Sequence, residues 1–401
     1  MAHHGRKIVV IGGGMAGLCA AVYLLKCGYQ AEVLEMHDMA GGLATSWRRG
    51  SYTSGARLHW LFGSNPNGWM HGQWQEVFET EKRRPPFAPI LKDPPEVFTL
   101  YLWSDPMTQS QAISAAASGT FLIGGDLPVN RLGYGAMRII GPGMWGPPAD
   151  KPAALAVLRR AVELGVNLID TADSYGPGVS EELIAEALYP YPAGLVIATK
   201  GGWERPGPGQ WTHNASPKHL AAALEGSLKR LHLDRIDVHQ LHVPDPAVSF
   251  EASVETLANL REQGKIRHVG LSNVTREHIE RARAIVPVVS VQNRYSFADR
   301  EYDYVVDHCE KNGIAFMPWA PLGQARKAHE ALQKAASQID AIPFQVALAW
   351  LLKRSKVILP IPGTASIPHL EENIAAAGLE LPQATYDELS ALSHPPASLR
   401  G

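Results

Sequence analysis

Cysteine is scarce: Cys19, Cys27 and Cys309 are all that 401 residues contain. Three thiols at those spacings supply neither a disulfide framework nor the paired ligands of a zinc site, so a reduced, intracellular protein is expected. A surplus of one charge is lacking too. The 37 Lys and Arg nearly balance the 39 Asp and Glu, for a formal charge of −2, and no Lys/Arg run occurs. That argues against a nucleic-acid partner and a membrane-surface patch, and leaves a small molecule as the expected ligand. Long apolar runs are missing as well. The one apolar N-terminal stretch, KIVVIGGGMAGLCAAVYLL, is broken by three consecutive glycines and followed by no small-residue cleavage pattern. Neither a signal peptide nor a membrane span is expected, and a cytoplasmic location follows by elimination.

What is present divides the chain. A (β/α)8 barrel takes roughly 250 residues, so one barrel plus an appendage is the natural partition of this length. From Lys7 to Glu35 the order is strand (KIVVIG), glycine turn and helix (GGMAGLCAAVYLLKCG), strand (QAEVLE), which is one βαβ unit. Gly12, Gly14 and Gly17 form GxGxxG at the strand-to-helix junction, and Glu35 ends the next strand at the distance of a ribose-binding carboxylate. These four residues are a candidate dinucleotide site. Further on, WLFGSNPNGW and EKRRPPFAPILKDPPEV are rich in Gly, Pro and aromatics, show no sustained period, and are assigned no elements. Residues 1–106 are thus expected to form a partial Rossmann-like fragment, and 107–118, polar and low in complexity, a linker.

From residue 119 onward short apolar runs alternate regularly with amphipathic stretches. The runs are NRLGYG, VNLIDT, LVIATK, IDVHQLH, IRHVGLS, VVSVQN, IAFMPWA and VILPIP; between them lie helical patterns such as AALAVLRRAVELG, SPKHLAAALEGSLKRL and SFEASVETLANLREQG. Eight strands each followed by a helix predict a closed parallel barrel. A doubly wound open sheet fits the same count, and the placement of reactive residues decides against it. In a barrel, functional side chains gather at the C-terminal ends of the strands. Asp170 ends the second run with Tyr175 in its loop, Lys200 ends the third, His242 the fourth, Ser272 and Asn273 the fifth, Gln292 the sixth and Trp319 the seventh. Met137, Trp145 and Trp203 follow the first and third runs on the same face and are candidate apolar walls of a substrate pocket. His232, His239 and His268 stand at or beside apolar runs without ligand spacing, so they are read as structural and no metal site is expected.

A Tyr, a Lys, an Asp and a His at successive strand ends suit hydride addition to a carbonyl, where charge builds on oxygen and a positioned acid must deliver a proton. Tyrosine is a weak acid, with an ordinary pKa of about 10. Lys200 is expected to favour the tyrosinate and so make Tyr175 a better donor. Asp170 would hold Lys200 charged through an ion pair, and His242 would orient the carbonyl oxygen.

In order, DTADSYG, IATKGG, DVHQLHVPD, GLSNV, VQNRY, PWAPLG and IPGTASIPHLEEN resemble the motif series of the aldo-keto reductases over about residues 119–401. NRLGYGAMRIIGPGMWGPP and QVALAWLLKRS resemble the bacterial aryl-alcohol dehydrogenase-like and pyridoxal reductase-like branch. The resemblance implies a (β/α)8 barrel that reduces aldehydes or ketones with NAD(P)H. It puts a catalytic tetrad on Asp170, Tyr175, Lys200 and His242, with Tyr175 as general acid. It sets Ser272, Asn273 and Gln292 on the nicotinamide carboxamide, and Trp319 on the nicotinamide ring. Pro321, Leu322 and Gly323 join the cofactor contacts, and Gly363, Thr364, Ser366, His369, Glu372 and Asn373 meet the adenosine end. A helix opening near Pro368 would present free N–H groups to a phosphate. Many NADPH-using relatives carry Arg or Lys where this chain has Gly363, Ala365 and His369. NADPH is therefore expected on family habit, with NADH as the alternative.

Near the N-terminus, the glycine motif with GGLATSW and GARLHWLFG makes residues 6–90 similar to the start of phytoene-desaturase-type FAD-dependent oxidoreductases. Such proteins close their FAD site far downstream, where this chain has turned into something else. The fragment is expected to be a fused partial domain that does not bind FAD productively. The leading expectation is a monomeric reductase with a small carbonyl substrate. Two others stand beside it: a bifunctional enzyme with FAD on the N-terminal segment, and a cofactor-sensing regulatory module built on the barrel.

Overall fold

The computed structural model describes residues 7–11, 30–35, 46–49, 52–55, 99–102, 113–323 and 329–392. The chain forms two compact units, Met1–Ser110 and Gln111–Gly401.

In the first unit Lys7–Ile11 pairs in parallel with Gln30–Glu35, in register from Lys7↔Gln30 to Ile11↔Leu34. These are the two strands read from the sequence; the first, KIVVI, is apolar after its opening lysine as parallel strands tend to be, while the second, QAEVLE, alternates with Gln30, Glu32 and Glu35. A further parallel strand, Thr99–Leu102, pairs with Gln30–Glu35, and Ser46–Arg49 forms an antiparallel pair with Tyr52–Gly55. None of these three was assigned from sequence, because each is a four-residue run among glycines and prolines with no period to betray it. Glu35 is the last residue of its strand; Gly12, Gly14 and Gly17 lie outside the described residues.

The second unit is the barrel. Seven parallel strands stand side by side in chain order: Tyr134–Gly135, Leu168–Asp170, Val196–Gly201, Ile236–Leu241, Ile266–Ser272, Val288–Gln292 and Ala315–Phe316. The eighth run, 357–362, closes the ring as an extended segment. Phe316 donates its N–H to Val357 O and Leu359 donates to Phe316 O, each at 2.8 Å, while Gly133 donates to Pro360 O at 2.9 Å. Pro360 and Pro362 have no N–H to give, which thins the ladder there to a single bridge, Phe316↔Ile358.

Helices clothe the ring because their apolar positions recur on one face. In Pro217–Leu231 the buried residues Leu220, Ala223, Leu224, Ser227, Leu228 and Leu231 follow the helical period, and Ser216 caps the start by accepting from His219 N–H at 3.3 Å. Each fully buried Leu contributes roughly 1.5–3 kcal/mol.

Two features were missed from sequence. An antiparallel hairpin, Thr120–Ile123 with Leu127–Asn130, precedes the first strand. Its Ile123, Leu127 and Val129 pack with Leu168, Val196, Val238, Val289, Ala315 and Leu359 from the strands, so it fills one end of the barrel interior. Asp126, in its turn, meets Arg267 at 2.9 Å and His268 at 2.6 Å, a structural employment for His268. The second concerns the expected linker. Residues 107–112 lie outside the described residues, but Ala115–Ser118 is a 3-10 helix belonging to the barrel unit. Ala115 is fully buried and donates to Leu164 O at 2.8 Å, and Ser118 Oγ accepts from Leu132 N–H at 3.0 Å. An alanine-serine run reads as low complexity, yet small side chains are what a close backbone approach admits.

Candidate active site

Asp170 is the last residue of the second strand and Lys200 the penultimate residue of the third, and their ends are neighbours in the ring. Lys200 Nζ donates to Asp170 Oδ2 at 2.7 Å and to Thr171 O at 2.8 Å. Lys200 is fully buried and Asp170 is 3% exposed. The turn after the second strand, held by Tyr175 N–H to Ala172 O at 3.2 Å, brings the Tyr175 ring to 5.1 Å from Lys200 Nζ. His242, anchored by its N–H to Gly201 O at 2.9 Å, meets that ring edge-on at 5.9 Å. The four residues that sequence reasoning grouped therefore surround one point.

Burial dominates the electrostatics. It pushes the Tyr175 phenol above its ordinary value, with Lys200 pulling the other way. The net direction is opposite to the expected one, because a buried phenolate loses more hydration than one neighbouring ammonium returns. For Lys200, burial alone would release the proton, but the Asp170 charge and then Tyr175 outweigh it and keep the ammonium protonated. Burial raises Asp170's proton affinity, opposed by Lys200 and Gln292. His242 is held neutral: burial, then Lys200 and His239, press its imidazole well below the usual range. Ser174 Oγ lies 3.4 Å from His242 Nδ1. A serine hydroxyl donating there leaves the proton on Nε2, free to donate to a carbonyl.

The carboxamide set lies next to these groups. Gln292 spends its amide hydrogens on Asp170 Oδ1 at 2.8 Å and Gln240 Oε1 at 3.2 Å, so its carbonyl oxygen is what it has left to offer. Asn273 donates to Ser272 Oγ and to His242 O, both at 3.0 Å, and its own oxygen accepts from Trp319 Nε1 at 3.1 Å. Ser272 therefore keeps a hydroxyl proton to give. A donor on Ser272 and an acceptor on Gln292 complement a primary carboxamide, so the residues fit a nicotinamide. Asn273 serves by fixing Ser272 and Trp319.

The expected adenosine residues also lie together. Gly363 and Thr364 run beside the first strand, with Tyr134 Oη donating to Thr364 O at 2.6 Å. Ser366, whose N–H donates to Thr364 Oγ1 at 3.1 Å, is the N-cap of Ile367–Ala375, and no side chain caps that helix. On the helix itself, His369 and Glu372 are exposed and Asn373 is buried. Pro321, Leu322 and Gly323 follow the seventh strand, where Ser296 Oγ donates to Gly323 O at 2.9 Å.

Of the proposed walls, Trp203 stands edge-on to His242 at 6.3 Å and stacks on His213 at 4.3 Å. Trp145 bridges Gly176, the residue after Tyr175. Met137, in the 3-10 turn after the first strand, packs against the core.

Sequence reasoning missed Arg205. It donates to Gln210 O at 2.8 Å, Ser174 O at 2.9 Å and Gly143 O at 3.3 Å, with its guanidinium 3.7 Å from the Trp211 ring centre. Three loops that follow the first, second and third strands are thus tied by one side chain, and a lone Arg among Gly and Pro gives no sequence signal for it. Loosening that rim should disturb substrate placement more than chemistry. For Arg205→Ala we expect KM for the carbonyl to rise roughly 10-fold with kcat changed less, a split read directly from steady-state kinetics.

His239, in the fourth strand, is fully buried, and among the described residues neither ring nitrogen has a hydrogen-bond partner. Burial and then Lys200 push its imidazole down to about 4. An unfolded histidine titrates near 6.5. Below that pH the unfolded chain binds a proton the native one refuses, so stability falls from pH 6.5 and the loss is complete near the folded value. At pH 5 this comes to about 2 kcal/mol. His239→Phe should therefore be more stable than wild type at pH 5 and gain less at pH 8. Denaturant titrations at the two pH values check it, and an equal effect at both would refute it.

His232, the αL cap of Pro217–Leu231, packs edge-on against Tyr189 at 5.1 Å. Cys309 is buried and its thiol is pushed up to about 12, so it stays protonated and inert. Among the described residues no three His, Cys, Asp or Glu side chains are arranged to hold a metal, and no single helix is long and apolar enough to cross a membrane.

Comparison with known proteins bears on the fold and the family. The profile of the aldo/keto reductase family matches residues 131–394, and that of an NAD(P)-binding Rossmann-like domain matches residues 10–77. An uncharacterized oxidoreductase of Schizosaccharomyces pombe is 47% identical over 282 residues, 70% of this chain and 92% of that protein. Pyridoxine 4-dehydrogenase of Escherichia coli is 46% identical over 284 residues, 69% of this chain and 99% of that protein. Among solved structures, an aldo/keto reductase from Klebsiella pneumoniae in complex with NADP and acetate superposes with a TM-score of 0.60 at 27% identity, covering 69% of this chain and 96% of the other. With a complete barrel, a polar set at its strand ends and relatives matched over nearly their whole length, the chain belongs to the aldo/keto reductase family.

Proposed function

We propose that the protein reduces an aldehyde or ketone to the alcohol with NADPH, and that Tyr175 provides the proton. The observation that carries this reading is the meeting of Tyr175, the Lys200–Asp170 pair and a neutral His242 at one point. Bound NADPH would supply the hydride, its carboxamide held by Ser272 and Gln292. His242 Nε2–H orients the carbonyl oxygen. As charge gathers on that oxygen, Tyr175 Oη transfers its proton; an alkoxide is a far stronger base than a tyrosinate, so even a phenol raised by burial gives it up. Lys200 then steadies the tyrosinate, and Asp170 keeps Lys200 charged and in place.

Support for the cofactor comes from the Klebsiella pneumoniae relative complexed with NADP, and for an aromatic aldehyde such as pyridoxal from the Escherichia coli pyridoxine 4-dehydrogenase. The N-terminal unit is a passenger in this reading and holds no working FAD. Steady-state oxidation of NADPH by the full chain, across aldehydes and ketones that include pyridoxal and with NADH in parallel, is the test. Turnover of at least one carbonyl class is expected. Tight cofactor binding with no turnover across the panel would replace the reductase by the regulatory module.

A further inference from the structure

The segment 363–369, placed by the proposed function along the cofactor's adenosine end, reads GTASIPH and contains neither Lys nor Arg. A longer residue cannot stand at its start. A Cβ on Gly363 would lie 2.5 Å from the carbonyl oxygen of Gly135, closer than such atoms approach. That closeness follows from the closed ring, in which the eighth segment runs against the first strand.

The space beside Gly363 is served from the other side of the seam. Cγ of Arg138 lies 3.4 Å from the point where that Cβ would be. Arg138 belongs to the 3-10 turn Ala136–Ile139, which directly continues the first strand. Its side chain is exposed, and it has no hydrogen bond or ion pair among the described residues. Arg160, a described cation that reaches this helix, is engaged with Glu371 at 2.7 Å and Glu163 at 3.2 Å. Thr364 and Ser366 can add neutral donors, but a doubly charged phosphate calls for a cation as well.

We infer that Arg138 supplies the cation missing from 363–369, pairs with the 2′-phosphate of the adenosine, and thereby sets the preference for NADPH over NADH. This rests on the reading that the cofactor lies along Gly363–Asn373, and it adds the residue that discriminates.

The test is binding, measured by calorimetry on the full chain with NADP+, NAD+ and 2′,5′-ADP for wild type, Arg138→Ala and Arg138→Lys. Arg138→Ala should weaken NADP+ and 2′,5′-ADP by roughly 10–100-fold and leave NAD+ within about twofold, with Arg138→Lys in between. The gap between wild type and Arg138→Ala should narrow as salt is raised, because the pair is exposed. Unchanged NADP+ affinity in Arg138→Ala, or an equal loss for NADP+ and NAD+, overturns the inference while the reductase reading stands. A wild type that binds neither dinucleotide overturns both.

Discussion

Tyr175→Phe should lower carbonyl-dependent NADPH oxidation by roughly 10²–10⁴-fold, the usual worth of a positioned general acid. The substitution removes one oxygen and little else. The ring is 7% exposed, and its contacts with Lys200 at 5.1 Å and His242 at 5.9 Å use the face and edge that Phe retains, while the hydroxyl's own interaction with Lys200 goes with the oxygen. Cofactor affinity should therefore be unchanged, and the loss should fall on kcat. His242 cannot stand in as the acid, since its imidazole is held neutral by burial. Burial also holds the Tyr175 proton beyond the ordinary phenol range, so the wild-type rate should show no alkaline decline from this group until above about pH 10. Full activity in Tyr175→Phe would remove Tyr175 from the mechanism.

Lys200→Met should destabilise the barrel by about 3–5 kcal/mol, besides abolishing most activity. Met matches the length of the lysine stem, so packing is largely kept, but among the described residues the 3%-exposed Asp170 would retain a charge met by Gln292 Nε2 at 2.8 Å alone. A lone buried carboxylate has its folded pKa raised above the unfolded value, so the penalty grows as pH rises and shrinks in acid, where the native state can take up the proton. Adding Asp170→Asn to Lys200→Met removes both charges and should recover most of the stability without recovering turnover. Urea midpoints for the two single variants, the double variant and wild type form the cycle that measures the coupling. A single variant as stable as wild type at neutral pH would show that the pair is not the buried element we take it for.

Both predictions depend on quantities that stand at different removes from the sequence. The positions of Asp170, Lys200, Ser272 and Gln292 at strand ends were legible because strand periodicity is local and a barrel collects its strand ends on one face. The hairpin Thr120–Ile123 with Leu127–Asn130 was not legible, since four-residue strands carry too little pattern. Neither was the packing of Ala115–Ser118, where the side chains are too small to mark a buried face.

The sequence by itself determined which chemistry the protein can host: the kinds of side chain, their order, and the alternation that brings them to one rim. Tertiary structure alone decided their energies and their substitutes. Whether Lys200 lowers the Tyr175 pKa enough to matter depends on how much water both have lost, and burial reversed the expected direction. Arg205 gathers three loops and Arg138 comes to lie beside Gly363 across 225 residues of chain. Solvation and approach through space are sums over neighbours distant in sequence, and only the closed ring brings those neighbours together.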